Sequence, residues 1–360
     1  MRFLLTLTLL AFLLGCGSAT DAAKSDHPNV APTQDDLATE ALVVNAGGRI
    51  EKDKSGAVTL VDFSGKPLDE KLISRIGTLP NLQKLLLRGC TVSNEMFTKL
   101  AAPSNLQVLD LRETPLTGKC LSQIGKCAKL RNLQFRGNAI TDNDLKHLAN
   151  LTELKVLGLD ETAVDGNAFG ELSGLAQLEE LYLFGTPFLE VNLPKLAPFT
   201  KLKRLRLRGT LITGDGFVDL AGLTALEDLD VSETGFKDAS VDHLKPFSQL
   251  KRLNLWATKI GDNAVPTVAE FNSLEWLNLD RNSIGDKNIH DLTKLPNLTW
   301  LHLGSTLLTD DGLMQLAPMK QLQTLIVTRT EVTDEGAAKL AHELPKTKIQ
   351  HIYKPEKNES

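Results

Sequence analysis

Aromatic residues make up only 5% of this 360-residue chain, against 42% hydrophobic residues overall, so any core it builds is filled mainly by aliphatic side chains. That suits a thin, regular interior better than one large globular core. Charge of one sign is also lacking: 40 basic against 45 acidic residues leave a net −5, with no field to concentrate nucleic acid or anionic lipid on the surface. Cysteine is scarce. Of four, Cys16 belongs to an N-terminal leader, while Cys90, Cys120 and Cys127 are an odd number without Cys-x-x-Cys spacing and read as packing residues rather than as a disulfide framework or metal site. The signatures GxxxxGKS/T, HExxH, GxSxG and GxGxxG are all missing, and the seven histidines are scattered. No catalytic residue, cofactor or metal is therefore assigned from the sequence, and the chain reads as a non-enzyme.

Arg2 precedes an apolar and small-residue run, Phe3 to Gly15, too short to span a bilayer but suited to a signal-peptide core. It ends in Leu13-Leu14-Gly15-Cys16, which resembles a bacterial lipobox. That resemblance implies lipidation of Cys16, a membrane anchor and a place in the bacterial cell envelope, and Gly17 after the cysteine resembles lipoproteins sorted to an outer membrane. Simple cleavage nearby, for instance after Ala19, would instead leave a secreted protein. Residues 16–34 are small, polar and proline-bearing, with too little apolar surface to pack, and read as a flexible tether.

What the chain has in abundance is repetition. Leucine recurs at 82, 106, 130, 154, 178, 202, 226, 250, 274, 298 and 322, every interval being 24. Another leucine stands three residues later each time, and an apolar residue two beyond that, which predicts a short strand with one face buried. Spacing then turns helical, as in Leu145 and Leu148 or Leu313 and Leu316. Asp142, Asp238, Asp262, Asp286, Asp310 and Asp334 are placed to cap each helical start. An imperfect earlier copy at Val58, Val61, Phe63, Leu68, Ile73, Ile76 and Leu79 makes about twelve units over 58–345, and Ile349 begins a truncated further one within 346–360. Residues 35–57, a short amphipathic helix then Gly47-Gly48, are suited to cover the first repeat.

The running pattern LxxLxLxxTxITDxGLxxLxxL resembles the leucine-rich-repeat family. The resemblance implies an α/β solenoid, a right-handed superhelix bent into an arc, with a parallel sheet on the concave side and short helices on the convex side. Thr occupies the eighth position after the lead leucine in most units, with Asn138 and Asn282 among the exceptions. Family members often carry Asn there, bonding the loop backbone of adjacent units, and a threonine hydroxyl is expected to do the same.

Positions two, four and six after each lead leucine face solvent on the concave side and are not needed for folding, so unusual residues there bear on function. All three tryptophans fall on them: Trp256, Trp276 and Trp300, accompanied by Asn254, Asn278, Asp280 and His302. Tyr182 and Phe184 form an earlier aromatic pair. Rigid rings among polar groups are the stuff of binding hot spots, which points to a protein or peptide partner. Glycan binding by the same rings, or rings that only stack and cover a structural sheet, are the other readings. Arg88, Arg112 and Arg136 share one column, where like charges call for neutralisation by Asp110, Asp160 or a bound acidic group. Arg204, Arg206 and Arg208, between Glu180 and Asp228 with Asp230, read as a cross-strand ion-pair ladder.

Overall fold

The computed structural model describes residues 31–352. Cys16, the leader 1–15, all but the last residues of the tether and the C-terminal residues 353–360 lie outside the described residues. Fourteen strands form one sheet in strict chain order, from Arg49–Lys52 and Val58–Asp62 through Trp276–Asn278 and Trp300–His302 to Lys348–Gln350. All neighbours run parallel except the first pair.

The repeat length sets the register. From Lys84 onward each strand pairs with the residue 24 positions later, so Trp276 lies opposite Trp300, Trp300 opposite Thr324, and Asn278 opposite His302. Leu253, Leu277, Leu301 and Leu325 all point inward and are fully buried, one leucine per layer. Side chains at alternate positions must then face outward together. Cys90, Cys120 and Cys127 are buried free thiols, and burial pushes Cys120 to about 12 and Cys127 to about 11.

The first strand is antiparallel because it belongs to a lid. The helix Gln34–Asn45 starts at a Thr33–Asp36 capping box, and its Val43 is fully buried. The chain then turns at Gly47, whose φ of +81° favours a residue without a Cβ, and runs back along Val58–Asp62.

Two details differ from the sequence reading. Most units from Asn167 to Lys294 carry short 3₁₀ segments, such as Asp215–Leu220, rather than α-helical turns. The aspartate column also does another job. Thr309 and Thr333 cap their own helices, while Asp286 and Asp310 reach forward to the amide and hydroxyl of the threonine one unit on. Asp142 likewise accepts from three amides of the next unit, those of Asp165, Gly166 and Ala168. These carboxylates tie repeats together.

The threonine column reverses that relationship. Thr162, Thr210 and Thr306 each donate to the carbonyl three residues back in their own unit. Asn138 and Asn282 reach carbonyls of the preceding unit through their longer amides, and they also meet the threonine hydroxyls there: Thr114 accepts from Asn138 and Thr258 donates to Asn282.

Candidate functional site

The concave face carries two stations. In the first, a hollow of about 550 Å³ lies over Asn132, Gln134, Arg112, Arg136, Tyr182 and Arg206. Its cations come with partners. Arg112 forms a two-pronged pair with Asp110, while Arg88 and Arg136 pair with Glu113 and Glu161, one unit further on. Glu113 and Glu161 sit at the turn after the strand with φ of 59° and 55°, a left-handed conformation costing a non-glycine residue roughly 1–2 kcal/mol. This turn turns their carboxylates toward the preceding unit's arginine. The groups paired directly with that column are thus Asp110, Glu113 and Glu161, while Asp160 accepts the amide of Phe184 at 2.7 Å and acts on Arg112 and Arg136 through its charge. Burial raises the Asp160 carboxyl above its ordinary range, opposed by Arg206 and Arg136.

The ladder expected around Arg204 is present. Arg204 bridges Glu180 and Asp228, Arg208 meets Glu233 at 2.7 Å, and Arg252 also approaches Asp228. Tyr182 donates its hydroxyl to Glu180 and accepts from Arg204 at 3.1 Å, with the Arg206 guanidinium over its ring. Burial, reinforced by Glu180, pushes its phenol up to about 12.

The second station holds the tryptophans, all half-buried on the concave side and neither sealed between layers nor turned to the convex face. Trp276 and Trp300 stack with centroids 4.4 Å apart and planes 7° from parallel, as expected where strand spacing sets ring spacing. The Arg252 guanidinium lies over Trp276 at 4.4 Å, and His302 meets Trp300 edge-on at 5.7 Å. Burial drives the His302 imidazole below its ordinary value, partly opposed by Asp280, so it is neutral at physiological pH. Asn254 and Asn278 each accept the amide two residues on, from Trp256 and Asp280, which fixes the strand-end turn.

Trp256 stands apart from the stack. It is covered by Arg208 at 4.7 Å and Arg281 at 5.7 Å, and Arg208 also lies over Phe184 at 5.0 Å. With Arg136 on Phe184 at 5.9 Å, alternating cations and rings connect the two stations. The sequence reading missed Arg208, Arg252 and Arg281 as ring partners. Their signal was present, since Arg208 and Trp256 share one column two units apart with the small Ser232 between them.

Among the described residues no cluster of three or more His, Cys, Asp or Glu side chains could hold a metal, and no helix is long and apolar enough to cross a membrane.

Comparisons with known proteins bear on the fold. The family model described as "Leucine Rich repeat" matches residues 320–341. No curated protein matches the chain in sequence. Among solved structures, an internalin of Listeria monocytogenes is similar over 91% of this chain and 97% of its own, with a TM-score of 0.65 at 21% identity. A leucine-rich-repeat protein of Leptospira interrogans is similar over 77% and 80%, with a TM-score of 0.55 at 20% identity. The Arabidopsis receptor kinase HAESA, solved with the peptide hormone IDA and the co-receptor SERK1, is similar over 79% of this chain and 52% of its own, with a TM-score of 0.58 at 19% identity. At these identities the likeness is one of fold, and with the unbroken 24-residue period and the ordered parallel sheet it makes this chain a leucine-rich-repeat solenoid.

Proposed function

We propose that this protein is a non-enzymatic scaffold that binds a protein or peptide partner on its concave sheet, held at the bacterial cell envelope by a lipid on Cys16. The observation that carries the binding reading is the Trp276–Trp300 stack. Two large rings, half open to solvent, occupy positions that the leucine core does not use. Trp256, Asn254, Asn278, Asp280, His302, Tyr182 and Phe184 extend that surface, with Arg112 and Arg136 lining the hollow and Arg88 one unit before them. Thirteen consecutive parallel strands at about 4.8 Å spacing give a ribbon somewhat over 50 Å long, enough for an interface of about 800 Å² per partner. The peptide hormone in the HAESA complex is an example of such a ligand on a related fold.

Sugars stack on free ring faces, and Trp276 offers none, with Arg252 on one face and Trp300 on the other, which removes that ring from a glycan-binding reading.

The test is crosslinking in living cells from a photoreactive residue at Asn278, with one at Val218, 58% exposed on the convex side, as control. A protein adduct specific to position 278, lost on adding Trp276→Ala and Trp300→Ala, is expected; equal adducts from both positions would refute the concave site. Replacing Cys16 by Ala should move the protein from the membrane to the soluble fraction, and an unchanged distribution would remove the anchor from the proposal.

A further inference from the structure

The hollow at the first station is lined by both signs of charge in equal number, Asp110, Asp160 and Glu180 against Arg112, Arg136 and Arg206. Four of the six are matched. Asp110 holds Arg112, Glu161 holds Arg136, and Glu180 takes Arg204 and the Tyr182 hydroxyl. Asp160 and Arg206 are not matched in this way. Asp160 accepts one hydrogen bond, from the Phe184 amide to its Oδ1, and has no ion pair among the described residues. Arg206 makes no hydrogen bond among them: its Nε is buried without an acceptor, Asp230 stays at 3.8 Å, and its guanidinium lies over the Tyr182 ring. Their strands are two apart, about 10 Å at a spacing of about 4.8 Å, so Arg206 acts on Asp160 through its charge without reaching it.

A second observation concerns space. The hollow's volume of about 550 Å³ is room that the lining side chains leave open, and it falls within the range of about 300–1,000 Å³ usual for ligand sites. Gln134 donates to Asn132 at 2.9 Å, leaving the Asn132 amide nitrogen with no acceptor among the described residues. Gly158 stands between Gln134 and Tyr182 in their column, and a Cβ there would collide with the Gln134 carboxamide, so the floor is kept low by a missing side chain.

Resting on the concave-face reading above, we infer that this hollow receives the uncharged side-chain carboxamide of an asparagine or glutamine in the partner, whose carbonyl accepts from Arg206 and whose amide nitrogen donates to Asp160. Charge balance carries the choice. An ion entering the hollow is attracted by one set of walls and repelled by the other, while it gives up its own hydration. A carboxamide is neutral and loses less. It also carries its acceptor and its two donors on separate atoms, which suits a guanidinium and a carboxylate that do not reach each other. A hydroxyl holds both functions on one atom and spans a shorter gap.

The test uses the full chain and three pools of fluorescent decapeptides, acetylated and amidated at their ends, with a central glutamine, glutamate or lysine and all other positions drawn from uncharged residues except asparagine and glutamine. Affinity is read from anisotropy. The glutamine pool should bind about ten-fold or more tightly than either charged pool. Asp160→Asn leaves the hollow one positive charge in surplus and should raise the glutamate pool to the top of the order. Arg206→Gln leaves one negative charge in surplus and should do the same for the lysine pool. Asp311→Asn, a charge change on the helical side, should leave the native order intact. A charged pool that matches the glutamine pool on the native protein, or an order that neither hollow variant changes, would overturn the assignment. If no pool binds while the crosslinked adduct at position 278 persists, the carboxamide site falls and the concave binding surface stands; loss of that adduct as well takes both.

Discussion

Asp310 accepts hydrogen bonds from both the amide, at 2.9 Å, and the hydroxyl, at 2.6 Å, of Thr333, the residue that caps the helix of the next repeat. One carboxylate thereby fastens two units and orients a third group, since the same hydroxyl accepts the Gly336 amide. Asp286 and Thr309 repeat the arrangement one unit earlier.

This clasp gives stability a pH dependence of definite sign. Thr333 holds the Asp310 carboxyl below the ordinary carboxylate range. A depressed acid contributes fully above its unfolded pKa of about 4, and the contribution disappears as pH falls through the folded value. The urea midpoint of Asp310→Asn should therefore lie below that of the native protein at pH 7, with the gap closing toward pH 2.5. A gap of constant size across that range would mean that the charge of Asp310 is irrelevant to the clasp.

The glycines two residues after the aspartates of this column, Gly312 after Asp310 and Gly336 after Asp334, have their explanation here. A Cβ on Gly336 would collide with the Asp310 carboxylate, and one on Gly312 with Asp286. Gly336 lies inside the helix Asp334–Glu343, where alanine is ordinarily favoured by about 1 kcal/mol. Gly336→Ala should instead destabilise by about 1–3 kcal/mol, the cost of an overfilled site. Adding Asp310→Ala should restore part of the loss, and the double-mutant cycle in denaturant measures the coupling. Stabilisation by the single substitution would show that the carboxylate moves aside freely.

Tyr182 offers a spectroscopic check on the first station. The chain has two tyrosines, Tyr182 and Tyr353, so in Tyr353→Phe the ultraviolet phenolate signal reports Tyr182 alone. Burial and the donor bond to Glu180 place its titration at about 12. Glu180→Gln removes the charge that reinforces the shift, and should bring the midpoint down toward 10. Titration of the native residue near 10 would mean that the ring is not held against Arg204 and Arg206.

The fold was legible because a fixed period writes the same physical requirement eleven times, so the columns of Leu82 and Leu85 declare which side chains are inside. Knowing the inside fixed the outside, and the three tryptophans lie on the concave face for that reason. Partnerships between units were harder to read. Asp310 looks like a helix cap in one dimension, and only the stacking distance shows Thr333 within its reach. For the column of Arg88 and Arg136 the sequence offered Asp110 and Asp160 but not Glu113 and Glu161, which reach these arginines from a left-handed turn that usually holds glycine.

Trp276 and Trp300 separate stability from recognition. An offset-stacked pair contributes about 0.5–1.5 kcal/mol beyond the area it covers, whereas truncating a fully buried leucine costs about 2–5 kcal/mol. Trp300→Ala, which gives up the stacking increment and the part of its ring that is covered, should lower unfolding stability by less than Leu301→Ala, its inward neighbour at 0% exposure, which leaves a cavity. Two indoles held 4.4 Å apart and nearly parallel should also couple electronically, giving a far-ultraviolet dichroism couplet that either single alanine variant removes. Partner binding should follow the opposite order, lost in Trp300→Ala and retained in a Leu301→Ala protein that remains folded. If Trp300→Ala unfolded as readily as Leu301→Ala, the rings would be part of the scaffold's own packing, and their place on the open face would carry no meaning for recognition.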